Sequence, residues 1–141
     1  MDLALLTGQR PADVLKLKRI DIRDGALWIV QNKTGASLGI EITGELAGTI
    51  ARINERPRSA ISVYLIQDEN GQPLSSFALR SRFEKARTLA GVDFQFRDIT
   101  AKSATDTGNL ADSQKLLGHK NREMTAHYVK ARIGERVKPL R

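Results

Sequence analysis

Residues 24–42 read DGALWIVQNKTGASLGIEI, and this stretch decides the fold class because it carries two strand patterns bounded by turns. Asp24-Gly25 is a hairpin turn signal, and the run from Ala26 to Val30 that follows it is rich in β-forming residues. A second turn lies at residues 32–35, after which residues 38–42 alternate as a strand does. Residues 20–43 therefore predict a small antiparallel sheet of about three strands.

The sequence on either side of this sheet predicts helices. Residues 1–7 have the pattern of a helix that stops around Gly8, and Pro11 suits the first position of a short helix that extends to about Lys16. Residues 61–66 fit either a short strand or an extended segment. Apolar periodicity, capping residues and glycine stops predict five further helices. They are expected at about residues 46–56, 76–90, 98–107, 110–117 and 122–131.

These elements together predict an α+β fold, namely a mostly helical domain with one small antiparallel sheet near the N-terminus. A length of 141 residues suits one domain, so residues 1–141 are expected to form a single unit. No apolar run approaches the roughly 18–20 residues that a membrane span needs, and no signal segment opens the chain. We therefore expect no membrane partner.

The composition excludes several kinds of site. Because the chain has no cysteine, it cannot form disulfides, thiolate metal sites or a cysteine nucleophile. The two histidines, His119 and His127, do not favour a zinc site of histidine and carboxylate ligands. No glycine-rich phosphate loop of the P-loop or Rossmann type is present, which argues against dependence on ATP or a dinucleotide. We expect no cofactor and no metal.

The charge balance favours a polyanionic partner. Lys and Arg number 23 against 16 Asp and Glu, which gives a net charge of +7. A basic surface binds nucleic acid because each phosphate that it neutralises releases counterions. Many soluble domains are basic without meeting nucleic acid, so the charge indicates a direction that the motifs must support.

Three segments carry residue types that suit phosphate chemistry. Arg10 lies between a helix stop and a helix start, where its guanidinium can offer a planar fork of donors to a phosphate. Lys33 lies at the tip of the second turn, from which a lone ammonium can reach DNA or a leaving oxygen. His119 follows the helix stop at Gly118, and Tyr128 comes nine residues later on the next helix. A phenol with a pKa near ~10 needs cations or a base before it attacks, so its companions decide its role.

The ordered set of these segments resembles the tyrosine recombinases, or phage integrase family. The resemblance rests on Thr-Gly-x-Arg-Pro-x-acidic-Val-Leu-x-Leu at residues 7–17, a hairpin lysine, Leu-Leu-Gly-His at residues 116–119 and a tyrosine nine residues on. It implies the DNA breaking-rejoining fold and a catalytic domain that needs no cofactor. It also implies double-stranded DNA as the partner, a homo-oligomer on DNA in the full-length protein, and a cytoplasmic location for a protein of bacterial or phage origin.

The same resemblance implies a role for each residue. Arg10 would bind the scissile phosphate, Lys33 would protonate the leaving 5′ oxygen, and His119 would hydrogen-bond the phosphate or assist proton transfer. Tyr128 would form a 3′-phosphotyrosyl bond, which a free 5′-hydroxyl later reverses. This chemistry is self-consistent, because cations stabilise the phosphoryl oxygens and the covalent link conserves bond energy without ATP or metal.

The sequence departs from the family in the middle element, His-x-x-Arg. The matching segment reads FRDITAK, with Arg97 at the histidine position and Thr100 where the second arginine is expected. Arg97 can still donate to a phosphate, whereas Thr100 lacks the cationic fork, a loss that costs on the order of 3–4 kcal/mol or 10²–10³ in rate. A shift of register would make Arg97 the second arginine, but Asp98 and Ile99 favour the first alignment.

Three hypotheses for function follow. The first is a catalytic domain for DNA recombination or integration through Tyr128, with DNA contacts at Arg10, Lys33 and Arg97. The second, motivated by Thr100, is a catalytically impaired DNA-binding relative of the same fold. The third is a basic helical interaction module that never meets DNA. Tyrosine recombinases also carry an N-terminal DNA-clamping domain and an earlier catalytic-domain helix, and we expect neither in this chain.

Overall fold

The computed structural model describes residues 1–57 and 62–133, and it describes only the backbone of residues 128 and 130–133. Within these ranges the chain forms seven α-helices and three strands. The helices before and just after the sheet are α1 (Asp2–Thr7), α2 (Pro11–Leu15) and α3 (Gly44–Glu55). The strands are β1 (Ile22–Arg23), β2 (Ala26–Val30) and β3 (Ser37–Glu41). The later helices are α4 (Ser76–Ala90), α5 (Phe96–Asp106), α6 (Leu110–Leu117) and α7 (Arg122–Ile133).

The sheet is antiparallel, in the order β1-β2-β3, and it confirms the prediction from residues 20–43. Leu27 pairs with Ile40, and Leu27 and Ile29 are both fully buried, as alternation along a half-buried strand requires. Strand β3 begins and ends one residue earlier than predicted. Ser37 already pairs with Val30, whereas Ile42 leaves the ladder and donates its N–H to the Gly25 carbonyl at 2.9 Å.

The helices lie within two residues of their predicted positions, and α3 begins at Gly44 where the prediction was about residue 46. Helix α5 begins at Phe96, two residues before the predicted start, because Asp98 occupies the third helical position. Its carboxylate accepts the Gln95 N–H at 2.7 Å and so closes a capping box. Helix α7 continues to Ile133, two residues past the predicted end at Ala131.

For residues 61–66 the sequence left open a short strand or an extended segment, and the structure describes residues 62–66 of this stretch. From Ser62 the chain forms no regular strand and bends at residues 63, 65 and 66. Tyr64 makes an isolated bridge to Lys18, and the Leu65 N–H donates to the Leu17 carbonyl at 2.9 Å. Ile61 lies outside the described residues, as do residues 134–141, which form most of the basic C-terminal tail.

One hydrophobic core joins the sheet to helices α1 to α5. Phe83 of α4 packs against the rings of Phe94 and Phe96, with centroids 5.6 and 5.1 Å away. No helix in the described ranges has the length and apolar character needed to cross a bilayer. The core side chains are Leu3, Ala4, Val14, Leu17, Leu27, Ile29, Leu46, Ile50, Leu65, Phe83 and Ile99.

Candidate active site

Arg10 lies in the tight connection between α1 and α2. As the residue before a proline it is restricted to extended backbone, and its carbonyl accepts the N–H groups of Asp13 and Val14 at 2.9 and 3.0 Å. Two residues earlier, Gly8 ends α1 with φ +66°, and a Cβ there would come within 2.9 Å of Leu117. The backbone at Arg10 is thus fixed on both sides. No acceptor among the described residues binds its half-buried guanidinium.

Lys33 lies in the turn that joins β2 to β3. Asp13, which is 2% exposed, holds the start of this turn by accepting the Asn32 N–H at 2.8 Å. The Gly35 N–H closes the turn by donating to the Gln31 carbonyl at 2.9 Å. The exposed Lys33 side chain therefore projects from a backbone that is tied to α2, the helix that Arg10 precedes.

His119 follows directly after α6, and its surroundings fix its position. Gly118 ends the helix with φ +64°, and a Cβ there would lie 2.8 Å from both Gln31 Nε2 and Leu38 Cδ1. His119 Nδ1 lies 2.9 Å from the hydroxyl oxygen of Thr125, a fully buried residue of α7. The hydrogen bond between them fixes the orientation of the imidazole ring.

These three side chains line one cavity of about 260 Å³. Burial lowers the pKa of His119 from its usual 6.5, and the charges of Arg10 and Lys33 lower it further. The two cations therefore act on the same imidazole. No carboxylate lines this cavity among the described residues. Its other lining residues are Gly8, Gln9, Gln31, Thr34, Thr100, Leu117, Lys120, Asn121 and Met124.

Arg97 and Thr100, the two residues at the positions of the family's His-x-x-Arg element, lie in different places in the structure. Thr100 lines the cavity with Arg10, Lys33 and His119, whereas Arg97 is exposed in the first turn of α5 and lines a different cavity. That second cavity, of about 500 Å³, also includes Arg80. A threonine hydroxyl therefore stands at the point of the cavity where the resemblance calls for a cation.

Tyr128 lies within α7, nine residues after His119, and its side chain is outside the described part of the structure. Helix α7 packs against α5 and α6, which are the helices that carry Thr100 and lead into His119. Met124, four positions before Tyr128, lines the cavity. Positions four apart share a face of a helix, so the backbone places position 128 on the face that borders the cavity.

Several residues around the cavity were missed by the sequence reasoning. Lys120 lines it, and Thr125 orients the imidazole. Gln9 and Gln31 are also buried beside it, with 1% and 8% exposure. A signal for Gln31 was present in the strand pattern, since it continues the inward alternation of Leu27 and Ile29 and so places an amide in the core.

A mostly helical domain with a three-stranded antiparallel sheet is the fold of the lambda integrase catalytic core. The match to the solved structure of that core covers 84% of this chain and 76% of the lambda integrase chain. Its TM-score is 0.69, and the sequence identity is 28%. A lambda integrase dimer bound to a COC′ core site covers 98% of this chain and 43% of its own, with a TM-score of 0.81 and 29% identity.

The family comparison agrees with the fold. Residues 1–134 match the family model described as the phage integrase family. The integrase of Escherichia phage HK022 is 36% identical over 143 residues, which cover 91% of this chain and 39% of that protein. The chain belongs to the phage integrase family of tyrosine recombinases. It spans about two fifths of the length of such relatives, 39% in the case of the HK022 integrase.

Proposed function

We propose that this chain is the catalytic part of an integrase that cleaves and rejoins double-stranded DNA through a 3′-phosphotyrosyl intermediate at Tyr128. The observation that supports this proposal most strongly is the cavity itself. Arg10, Lys33 and His119 come from three distant parts of the chain, yet they line one space without a carboxylate among the described residues. Such a cationic space suits the phosphate of a DNA strand.

Each residue has a distinct task in the proposed reaction. The Tyr128 oxygen attacks the phosphorus, so that a phosphorus–tyrosyl oxygen bond forms and the bond to the 5′ oxygen breaks. Arg10 stabilises the charge on the non-bridging oxygens, and Lys33 gives its proton to the leaving 5′ oxygen. The lowered pKa of His119 favours its neutral form, which can accept a hydrogen bond or the phenolic proton. A 5′-hydroxyl reverses the sequence and rejoins the strand.

The proposal extends to the partners of the whole protein. The solved relatives include a lambda integrase dimer bound to a core site and a lambda integrase tetramer bound to a Holliday junction. We therefore propose that the protein containing this chain acts as a homo-oligomer on double-stranded DNA, in the cytoplasm of a bacterium. Arg97, which lines the cavity that also includes Pro11, would then contact the DNA backbone beside the reacting phosphate.

A second candidate function rests on Thr100. Because this residue lines the cavity where a cation is expected, the chain can bind a phosphate more easily than it can stabilise the transition state. The second candidate is therefore a DNA-binding relative with impaired cleavage, which competes for sites without cutting them.

A covalent-adduct assay separates the two candidates. The chain is joined to the N-terminal DNA-clamping domain of a relative and mixed with that relative's own site, nicked beside the scissile phosphate so that the cut cannot reseal. An SDS-stable protein–DNA adduct that Tyr128→Phe abolishes supports strand cleavage. DNA binding without an adduct, both in this protein and after Thr100→Arg, contradicts cleavage and supports the second candidate.

A further inference from the structure

Two buried glutamines link the parts of the chain that carry the cavity side chains. Gln9 precedes Arg10 directly, and Gln31 lies two residues before Lys33. The Gln31 Nε2 group donates to Gln9 Oε1 at 2.7 Å, although the two residues are 22 positions apart. This contact joins the α1–α2 connection to the β2–β3 turn.

The same two amides hold the end of α6. Gln9 Nε2 donates to the Leu116 carbonyl at 2.8 Å, across 107 positions of sequence. Gln31 Nε2 donates to the Leu117 carbonyl at 2.7 Å, across 86 positions. Leu117 precedes His119 by two residues. Each of the three segments is thus held within two residues of the side chain that it presents to the cavity.

All four side-chain N–H donors of the pair are used, which explains why both residues are amides. An amide nitrogen has two N–H donors and its oxygen accepts. Gln9 uses its second donor on the Thr7 carbonyl at 3.0 Å, and Gln31 Oε1 accepts the hydroxyl of Thr34 at 2.7 Å. A carboxylate would set oxygen against carbonyl oxygen here, and an apolar side chain would leave buried acceptors without donors.

We infer that Gln9 and Gln31 are positioning residues, which hold Arg10, Lys33 and His119 at the mutual distances that one phosphate requires. They touch neither the phosphate nor the attacking oxygen in this account. That the ligand is a phosphate group rests on the proposed function. That the two glutamines hold the three segments together does not depend on it. A packing role without positioning would stabilise the fold and leave the spacing of the cavity side chains unchanged.

The test compares Gln31→Met, which keeps the length of the side chain and removes its hydrogen bonds, with Thr49→Val. Thr49 is 5% exposed and bonds Arg52 on α3, so its loss perturbs a partly buried hydrogen bond away from the cavity. NMR of the chain gives the pKa of His119 and the affinity of the cavity for inorganic phosphate. His127→Gln assigns the histidine signals.

Gln31→Met is expected to weaken phosphate binding on the order of tenfold, the size seen when residues behind the binding groups are lost. It is also expected to return the pKa of His119 towards 6.5, since Arg10 and Lys33 are no longer held beside the ring. Thr49→Val should change neither quantity. Should Gln31→Met fail to fold, Thr34→Val removes the hydroxyl that donates to Gln31 and accepts the Ala36 N–H, and it should shift both quantities less, in the same direction.

The inference is overturned by a variant that folds and melts at a lower temperature but keeps both measured quantities. That means a phosphate affinity within twofold, and a pKa of His119 within a few tenths of a unit, of the unsubstituted chain. A movement of only one of the two quantities also overturns it. If the unsubstituted chain does not bind phosphate, the proposed function loses its anion site. The pKa of His119 then decides the positioning role by itself.

Discussion

At the scale of single residues, the cavity combines groups that suit phosphate binding with one that does not. The Arg10 guanidinium has no bound acceptor in the part of the chain that the structure describes, and His119 is held by Thr125 in one orientation. Thr100 stands among them with a hydroxyl in place of a cation. A cation at this position is expected to stabilise the transition state more than a surface charge would. The reason is that charges interact more strongly in a cavity than in open water.

Thr100→Arg is expected to increase the rate of adduct formation by on the order of 10²–10³, which is the contribution of one such group to the transition state. The measurement is the initial rate on the nicked substrate. Thr105→Arg is the matched control, because it adds the same charge to the same helix at a position outside the cavity lining. An equal gain from both substitutions would show that charge on α5, and not the place of Thr100, matters.

The lowered pKa of His119 makes stability depend on pH. Because the folded chain binds this proton less tightly than the unfolded chain, the free energy of unfolding decreases as the pH falls below about 6.5 and reaches its full loss below the folded pKa. Urea unfolding between pH 5 and pH 8 measures this slope. His119→Asn should flatten it, because the group whose pKa is lowered is then absent. An unchanged slope in His119→Asn would contradict the assignment.

At the scale of elements, helix ends carry the site. Arg10 directly precedes α2 as its N-cap residue, and His119 follows the last turn of α6. Gly118 is the residue on which this second end depends, since it combines a positive φ with close contact to Gln31 and Leu38. The end of α6 can lie against the sheet only because no Cβ intervenes.

Gly118→Ala is expected to lower the free energy of unfolding by about 2–4 kcal/mol, through backbone strain and overpacking against Gln31 and Leu38. Gly48→Ala is the control, because Gly48 lies within α3 and a Cβ there meets nothing within 4 Å. That change should raise stability by about 0.5–1 kcal/mol through helix propensity. Chemical denaturation of the two variants checks both signs.

The elements were predictable from the sequence to within two residues, because turns, caps and apolar periodicity are local properties. The α5 boundary was shifted because Asp98 was taken as the start of the helix, whereas it is the third residue of a capping box. The Gln9–Gln31 contact could not be predicted, since it depends on how α6 packs against the sheet. Which of Arg97 and Thr100 lines the cavity likewise depended on the packing of α5.

At the scale of the whole molecule, the net charge of +7 favours DNA binding. The cations expected to bind DNA are those without a carboxylate partner among the described residues. Arg52 and Arg82 already form ion pairs, with Asp2 at 3.4 Å and with Glu69 at 2.9 Å. Arg10 and Lys33 have no such carboxylate among the described residues. Of these four residues, we therefore expect Arg10 and Lys33 to exchange counterions for DNA phosphates.

Replacement of Arg10 and Lys33 together by alanine is expected to weaken duplex binding and to reduce the slope of log K against log salt concentration by about 1.8, or about 0.9 for each phosphate contact. Fluorescence anisotropy with a labelled duplex at several salt concentrations gives the slope. The double variant Arg52→Ala and Arg82→Ala removes the same charge and should change the slope much less. Equal slopes in both variants would favour a basic module without a defined DNA contact.

The central claim is that Arg10, Lys33 and His119 form one phosphate site that Tyr128 can reach. The most direct measurement is a crystal structure of the chain with orthovanadate, a mimic of phosphate in its transition state. The account predicts the anion in the cavity beside Thr100, bonded by Arg10 and His119, with the Tyr128 oxygen in line for attack. An anion bound elsewhere, or a Tyr128 hydroxyl directed away from an occupied cavity, would contradict it.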